Sequence, residues 1–589
     1  MALQGLDWGI IAAYFIVSLV IGVMVAKQSG SSVAEFFLSG RNMPWWLLGV
    51  SMVATTFSAD TPNLVTDIVR NNGVGGNWVW WAFLLTGMLT VFVYAKLWRR
   101  TGILTDLEFY EMRYGGPAAS FLRGFRAIYL GLFFNVMIMA TVCLAAIKIG
   151  NVLLGLAPWE TLLISSIITV AYTMVGGFKG VLFTDFFQFF LAMGGMVAAA
   201  IFLVNRPEIG GLANLLEQPQ VRGAMSVFPD WSNPASWVPI FLIPLAVQWW
   251  SSWYPGAEPG GGGYIAQRML AAKNERHAMG ATLLFNIMHY ALRPWPWIIV
   301  ALCSMVMFPT TADIAKQFPH IDPSIIRDDL AFPAMMSFLP TGLLGLIVAA
   351  LIAAFMSTIS THLNWGSSYL INDFYGRFVD KNAGDKKLVN LGRLSTLILM
   401  VLAAIVALKL DSALDSFNIL LQIGAGTGLI FILRWFWYRI NAWSEISGML
   451  ISFAVAFYFQ FIYKGELASH EKLVIGVLIT TIGWVIVTLM TKPESNEVLQ
   501  KFYSRVQPHN AGWRGWLKKI GKPELAHQNP SNLGLEITAM ILGCVMVYGF
   551  LFGLGYWIYG DVIKAFIFFG TGIASALFLW RMWPRLSFS

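Results

Sequence analysis

The chain has 589 residues, 57% hydrophobic and only 12% charged, with a mean hydropathy of +0.65. A soluble domain carries about 25% charged residues, so this composition excludes a surface that faces water all round and requires one that faces lipid. The net charge of +8 is spread between apolar runs rather than gathered in one stripe, which excludes a nucleic-acid footprint and reads as topology signals.

Apolar runs predict helices at 8–26, 45–69, 78–98, 124–149, 158–175, 181–204, 236–256, 278–307, 331–372, 389–409, 414–437, 443–463, 472–490, 534–556 and 561–581. That is about 14–15 transmembrane helices, the last two being either separate or one kinked element. The first run is about long enough to span and lacks a basic start and a cleavage site, so it is expected as a mature helix rather than a signal peptide. The run at 331–372 is too long for one crossing and is expected to include a short outer helix. No segment alternates like a strand, which excludes a barrel. With the N-terminus outside, most of the 39 Lys and Arg fall in inward loops or the C-terminus, whereas Asp313, Asp322, Asp328 and Asp329 fall outside. That bias sets the expected orientation, with a cytoplasmic C-terminus. Cys143, Cys303 and Cys544 lie in apolar runs at unrelated spacings, so neither a disulfide framework nor a metal cluster is implied.

Polar atoms inside a membrane are costly and therefore informative. In the second helix, Ser51 to Pro62 holds five hydroxyls, Asp60 and a proline. A carboxylate at a helix centre costs about 2.5–3.5 kcal/mol on insertion scales. Pro62 removes an N–H, so unwinding is expected nearby. Unwound backbone at membrane depth is tolerated where it lines a cavity or an ion site; small-residue helix packing is the other reading. In the ninth helix, Ser357, Ser360 and Thr361 share one face. Such hydroxyls suit a hard cation or back-bond to their own helix. A Gly-rich turn at Gly176, Gly177 and Gly180 precedes Asp185, which either favours a helix start or serves as a cation ligand.

These stretches resemble the sodium/solute symporter family, which includes bacterial sodium/galactose, proline and sialic acid transporters. The run from Glu35 to Trp46, the segment Gln267-Arg268-Met269-Leu270-Ala271-Ala272-Lys273 and Asn372-Asp373-Phe374-Tyr375 match further signatures in order. The resemblance covers about residues 7 to 490, and the segment from Phe502 to Trp513 looks like an inner linker of some members. It implies an all-α integral membrane protein of the LeuT type: two inverted five-helix repeats, helices two to six and seven to eleven, plus peripheral helices. Residues 1–30 would form a peripheral helix. The transport core would cover 45–437, with repeats at 45–204 and 236–437. Peripheral helices at 443–490, an inward linker at 491–533 and C-terminal transmembrane helices at 534–589 would complete the chain.

The resemblance also implies ligands. The family's main sodium site falls on the carbonyls of Ala54, Phe57 and Ala354 and the hydroxyls of Ser357 and Thr358. A second sodium, held in sialic-acid-type members, falls on Asp185, Ser357, Ser360 and Thr361. One sodium is therefore expected, with oxygens present for two. Galactose-type members carry Glu-Gln where this chain has Asp60-Thr61, a glutamate where it has Trp80 and a lysine where it has His289. The Pro/Gly-rich stretch 255–263, in which no helix survives, replaces their gate. The substrate site is expected to be framed by Asp60, Thr61, Trp80, Phe83, Trp253, Tyr254, Glu258, His289 and Gln422. His289 either meets substrate or makes an interhelical hydrogen bond. Arg293 pairs with an acid, caps a broken helix or binds an anionic substrate.

The expected function is sodium-coupled import of a small polar solute across the cell membrane, a sugar or sugar-like solute being favoured over an amino acid or organic acid. The partners implied are that solute and the bilayer, with no nucleic acid and no obligate protein partner. A membrane enzyme is disfavoured because the seven histidines are scattered and no HExxH or GxSxG motif occurs. A sodium-linked sensor would be expected to append a soluble signalling domain.

Overall fold

A computed structural model describes residues 3–29, 37–247, 259–410, 421–526 and 532–586. Among them the only strand-like feature is a parallel bridge between Met43 and Ala272; the rest is helix and connection. Among the described residues, eleven helices are long and apolar enough to cross a membrane, and three shorter apolar ones lie at 45–56, 158–171 and 234–246.

In chain order the principal elements are α1 (Gly5–Ser29), α2 (Trp45–Thr56), α3 (Asp60–Asn72), α4 (Val74–Thr101), α5 (Gly116–Leu154), α6 (Pro158–Val204) and α7, which lies within 234–246. They continue with α8 (Glu275–Met307), α9 (Leu343–Val379), α10 (Asp385–Ala407), α11 (Ala442–Ile462), α12 (Ser469–Met490), α13 (Leu533–Ile558) and α14 (Val562–Met582). The centre is built by α2, α3, α8 and α9 with α5 and α6 around them, and α1 lies across α6 and α9. Outward faces of α10, α12 and α14 are apolar, with Leu397, Ile482 and Phe578 exposed, as lipid contact demands.

Some elements match expectation and others differ. The second helix is broken into α2 and α3. The expected helices at 158–175 and 181–204 join in one helical run, α6. A straight run of 47 residues would be about 70 Å long, yet both its arms lie on the same stretch of α9. Ile164 to Thr169 line a cavity with Val348 to Met356, while Gly195 lies against Ile347 and Ala350. The run therefore turns back between Thr169 and Asp185, where Gly176, Gly177 and Gly180 lie. The segment at 331–372 does begin with a short helix, Ala331–Met336, before α9. The expected eleventh helix lies partly outside the described residues and is interrupted at Gly426, whose φ is +80°. The last two runs are separate helices: a Cβ on Gly549 of α13 would meet the Phe568 carbonyl of α14 at 2.8 Å.

Residues 491–526 of the linker are a docked layer rather than an open loop. They form helices Asn496–Val506 and Arg514–Lys519, with Phe502 and Trp513 buried. The Arg113 guanidinium lies 5.2 Å from both of their rings, and the Trp513 indole N–H donates to the Trp435 carbonyl at 2.9 Å. Buried Glu536 at the start of α13 pairs with Lys96 of α4 and with linker His509.

Candidate cation and solute site

The site starts from the break in the second helix. Phe57 has φ −84° and ψ 68°, and its N–H closes the last turn of α2 onto the Val53 and Ala54 carbonyls. Helix resumes at Asp60. Pro62 sits in the first turn of α3, where its missing N–H costs nothing, so the unwinding lies just before the proline. A carbonyl has two lone pairs, which leaves capacity on Ala54 O after it accepts from Phe57.

α9 crosses this break. Ala354, Ser357, Thr358, Ser360 and Thr361 are all buried, and the Thr358 hydroxyl donates to the Thr55 carbonyl at 2.7 Å. The residues assigned to the main cation set thus lie on two spans that touch, and the side chains they offer are neutral hydroxyls. That set suits a hard monovalent cation.

The second expected set is arranged differently. Asp185 accepts from Ser357 Oγ on one carboxylate oxygen and from Ser51 Oγ on the other, both at 2.5 Å. The guanidinium of Arg268 enters the same cluster from the helix Gly263–Ala271. Its Nε donates to Ser51 Oγ at 3.1 Å, its Nη2 reaches Thr55 Oγ1 and Thr361 Oγ1 at 3.0 Å each, and the same nitrogen is 3.5 Å from Asp185 Oδ2. The rings of Phe178 and Tyr264 flank it at 5.3 and 5.7 Å. Arg268 and Asp185 are fully buried. A fixed cation therefore already stands among the oxygens of this set. Ser360 is turned away, donating to the Ser357 carbonyl at 3.2 Å. In the sequence Arg268 stands inside a signature segment, with no local signal that places it in the site.

On the other side of the break, His289 lies on a π-helical turn of α8, Ile287–Leu292. Its Nδ1 is 3.1 Å from Thr56 Oγ1, which realises the interhelical hydrogen bond. Its ring meets Trp80 edge-on at 5.7 Å, and Trp80 is anchored through its indole N–H to Asn77 at 2.8 Å. Arg293 donates to Thr56 Oγ1 at 3.1 Å and lies 5.0 Å over the Trp297 ring. It is also close enough to Asp60 to act on it electrostatically. Asp60 Oδ1 is buried without a hydrogen-bond partner. Thr61 Oγ1 donates to the Thr56 carbonyl at 3.3 Å, and Phe83 is buried in the central core. Gln422 stands apart, its amide donating to the Lys472 carbonyl at 3.3 Å, against α12. Trp253, Tyr254 and Glu258 lie outside the described residues.

Two further residues tie α1 to this site. The Asp7 carboxylate accepts from the Gly342 and Gly345 amides at 2.7 and 2.8 Å, capping the start of α9 from a distance. The Tyr14 hydroxyl donates to Met356 Sδ at 3.5 Å and accepts from Gln188 at 2.8 Å.

The sequence model of the sodium:solute symporter family matches residues 36–452. The chain is 25% identical over 478 residues to a sodium/glucose cotransporter of Vibrio parahaemolyticus, covering 78% of this chain and 86% of that protein. It is 26% identical to the human (Homo sapiens) sodium/myo-inositol cotransporter over 553 residues, 84% of this chain and 74% of the relative. A substrate-bound, outward-open sodium-coupled sialic acid symporter superposes with a TM-score of 0.65 at 20% identity, covering 84% of this chain and 99% of that one. That likeness is one of fold, the LeuT type.

Proposed function

Since the chain belongs to the sodium:solute symporter family, we propose that it imports a small polar organic solute, a sugar or sugar-like one, driven by sodium through alternating access. The observation that carries this reading is the meeting of the broken second helix with the hydroxyl face of α9, where Thr358 holds the Thr55 carbonyl at 2.7 Å. Sodium is a co-substrate here, held by the carbonyls of Ala54, Phe57 and Ala354 and by the hydroxyls of Ser357 and Thr358. Binding those oxygens couples the end of α2 to α9. The same break carries Thr56, which Arg293 and His289 hold from the solute side. Ordering the break for the ion therefore also sets the residues that face the solute, which is the linkage a symporter needs.

Asp60 supplies a carboxylate acceptor for a solute hydroxyl, and Trp80 an aromatic wall. Relatives named for glucose and myo-inositol support a polyol-like solute. Arg293 supports a second reading, a solute bearing a carboxylate. One charge moving through 100 mV is worth about 2.3 kcal/mol, enough for about 40-fold accumulation at one sodium per solute. The chain is placed in the cell membrane with its N-terminus outside and its linker inside, as the Lys/Arg bias directs.

The test is uptake of radiolabelled sugars, polyols and organic acids into proteoliposomes with and without an inward sodium gradient. Uptake that ignores the gradient refutes the coupling. Ser357→Ala should abolish the sodium-dependent part.

A further inference from the structure

A cavity of about 270 Å³ lies between α1, α5, α6 and α9. Its wall includes Trp8, Ala146, Ile168, Ile352 and Phe355, and its inner end reaches Ala59 and Met356. Ala59 is one of the three residues of the unwound turn, and Met356 precedes Ser357. The rim carries Trp8 and Ile164, both about half exposed, among the outward Leu163 and Ile167, so the mouth opens on a surface that faces hydrocarbon.

The few hydroxyls in the wall are already used. Thr161 donates to the Ala157 carbonyl at 3.3 Å, Ser165 to Thr161 at 2.7 Å and Thr169 to Ser165 at 2.8 Å. With their protons committed, these hydroxyls leave a polar solute few partners in an otherwise apolar wall, and apolar cavities of this kind stay dry. An empty cavity leaves its lining atoms without contacts on one side. Water cannot repair that loss at this depth, but the lipid tails at the mouth can.

We propose that this crevice binds an acyl chain of a bilayer lipid, which buttresses the unwound turn and the Phe355–Met356 step of α9 from behind. Sodium binding then depends on the occupant, because Ala59 and Met356 are shared between the crevice wall and the two spans that supply the cation set. Tyr14, bonded to Met356, carries α1 into the same arrangement.

The experiment uses the full chain in vesicles containing phosphatidylcholine with a diazirine on its acyl chain, irradiated and mapped by mass spectrometry. Label is expected on the recessed residues Ile11, Ile352 and Phe355 as well as on the open outer faces. Label confined to open residues such as Leu397 and Ile482 overturns the proposal. Ala146→Phe and, separately, Ile352→Phe fill the crevice. Each should remove the recessed label and shift the sodium concentration for half-maximal uptake by about threefold or more. Recessed label that persists in a folded, filled variant also overturns it. Labelling does not require transport, so its failure is distinct from failure of the symport reading.

Discussion

Replacing Asp185 by asparagine separates charge from shape at the centre of the second cluster. Asp185 and Arg268 are both fully buried, so the variant leaves a guanidinium without its counter-ion in the protein interior. Removing one partner of a buried pair costs about 3–5 kcal/mol. Arg268 keeps the hydroxyls of Ser51, Thr55 and Thr361, the Tyr264 carbonyl and two ring faces. That places the expected loss at the lower end, about 3 kcal/mol. Arg268→Gln alone should cost a comparable amount by stranding the carboxylate, and the double variant should cost less than the sum by about 2 kcal/mol. The assay is unfolding of the four proteins in one detergent, followed by intrinsic fluorescence and closed into a double-mutant cycle. Additivity within about 0.5 kcal/mol would refute the pairing. The same proteins test the second cation set. With the guanidinium removed, Asp185 is free to take sodium, so Arg268→Gln should gain more thermal stabilisation from added sodium than the parent does. An equal or smaller gain refutes the assignment of Arg268 as the resident cation.

Lys148→Met should destabilise by about 3–5 kcal/mol, because it strands Asp329, which Lys148 meets at 2.6 Å with both side chains 1% exposed; Lys148→Met/Asp329→Leu should recover most of it in the same unfolding assay. Glu111, in the connection between α4 and α5, is pulled down to about 2: burial opposes its ionisation, but hydrogen bonds from Arg377, Ser120 and Arg123 prevail. Its folded-state value is depressed, so its contribution is complete above the ordinary carboxylate range and is lost as pH falls from about 4.5 towards 2. Glu111→Gln should flatten stability in that window. Gly512→Ala places a Cβ 1.9 Å from the Phe436 carbonyl and should undock the linker, read as faster proteolysis between 491 and 533 with α13 and α14 intact. Thr358→Val removes the hydroxyl that joins α9 to Thr55 and should raise the sodium requirement for uptake about tenfold or more, the equivalent of one hydrogen bond near a charge.

The membrane class, the run of spanning helices and the break near Asp60 were set by the sequence alone, because each depends on local costs. Twenty apolar residues span a bilayer wherever they occur, and a proline beside a carboxylate disturbs a helix whatever surrounds it. The hydroxyl face of α9 was legible for the same reason, through its i, i+3, i+4 spacing. The fate of each hydroxyl was not: Ser357 and Ser360 lie three residues apart, yet one holds Asp185 and the other its own helix. Gln422 read as a site residue and lies against α12. Arg268 read as part of a signature and stands inside the cation cluster, 83 residues from Asp185 and 217 from Ser51. Whether a buried charge is tolerable depends on the counter-charge and hydroxyls that other helices bring within 3–4 Å, and only the tertiary packing decides that.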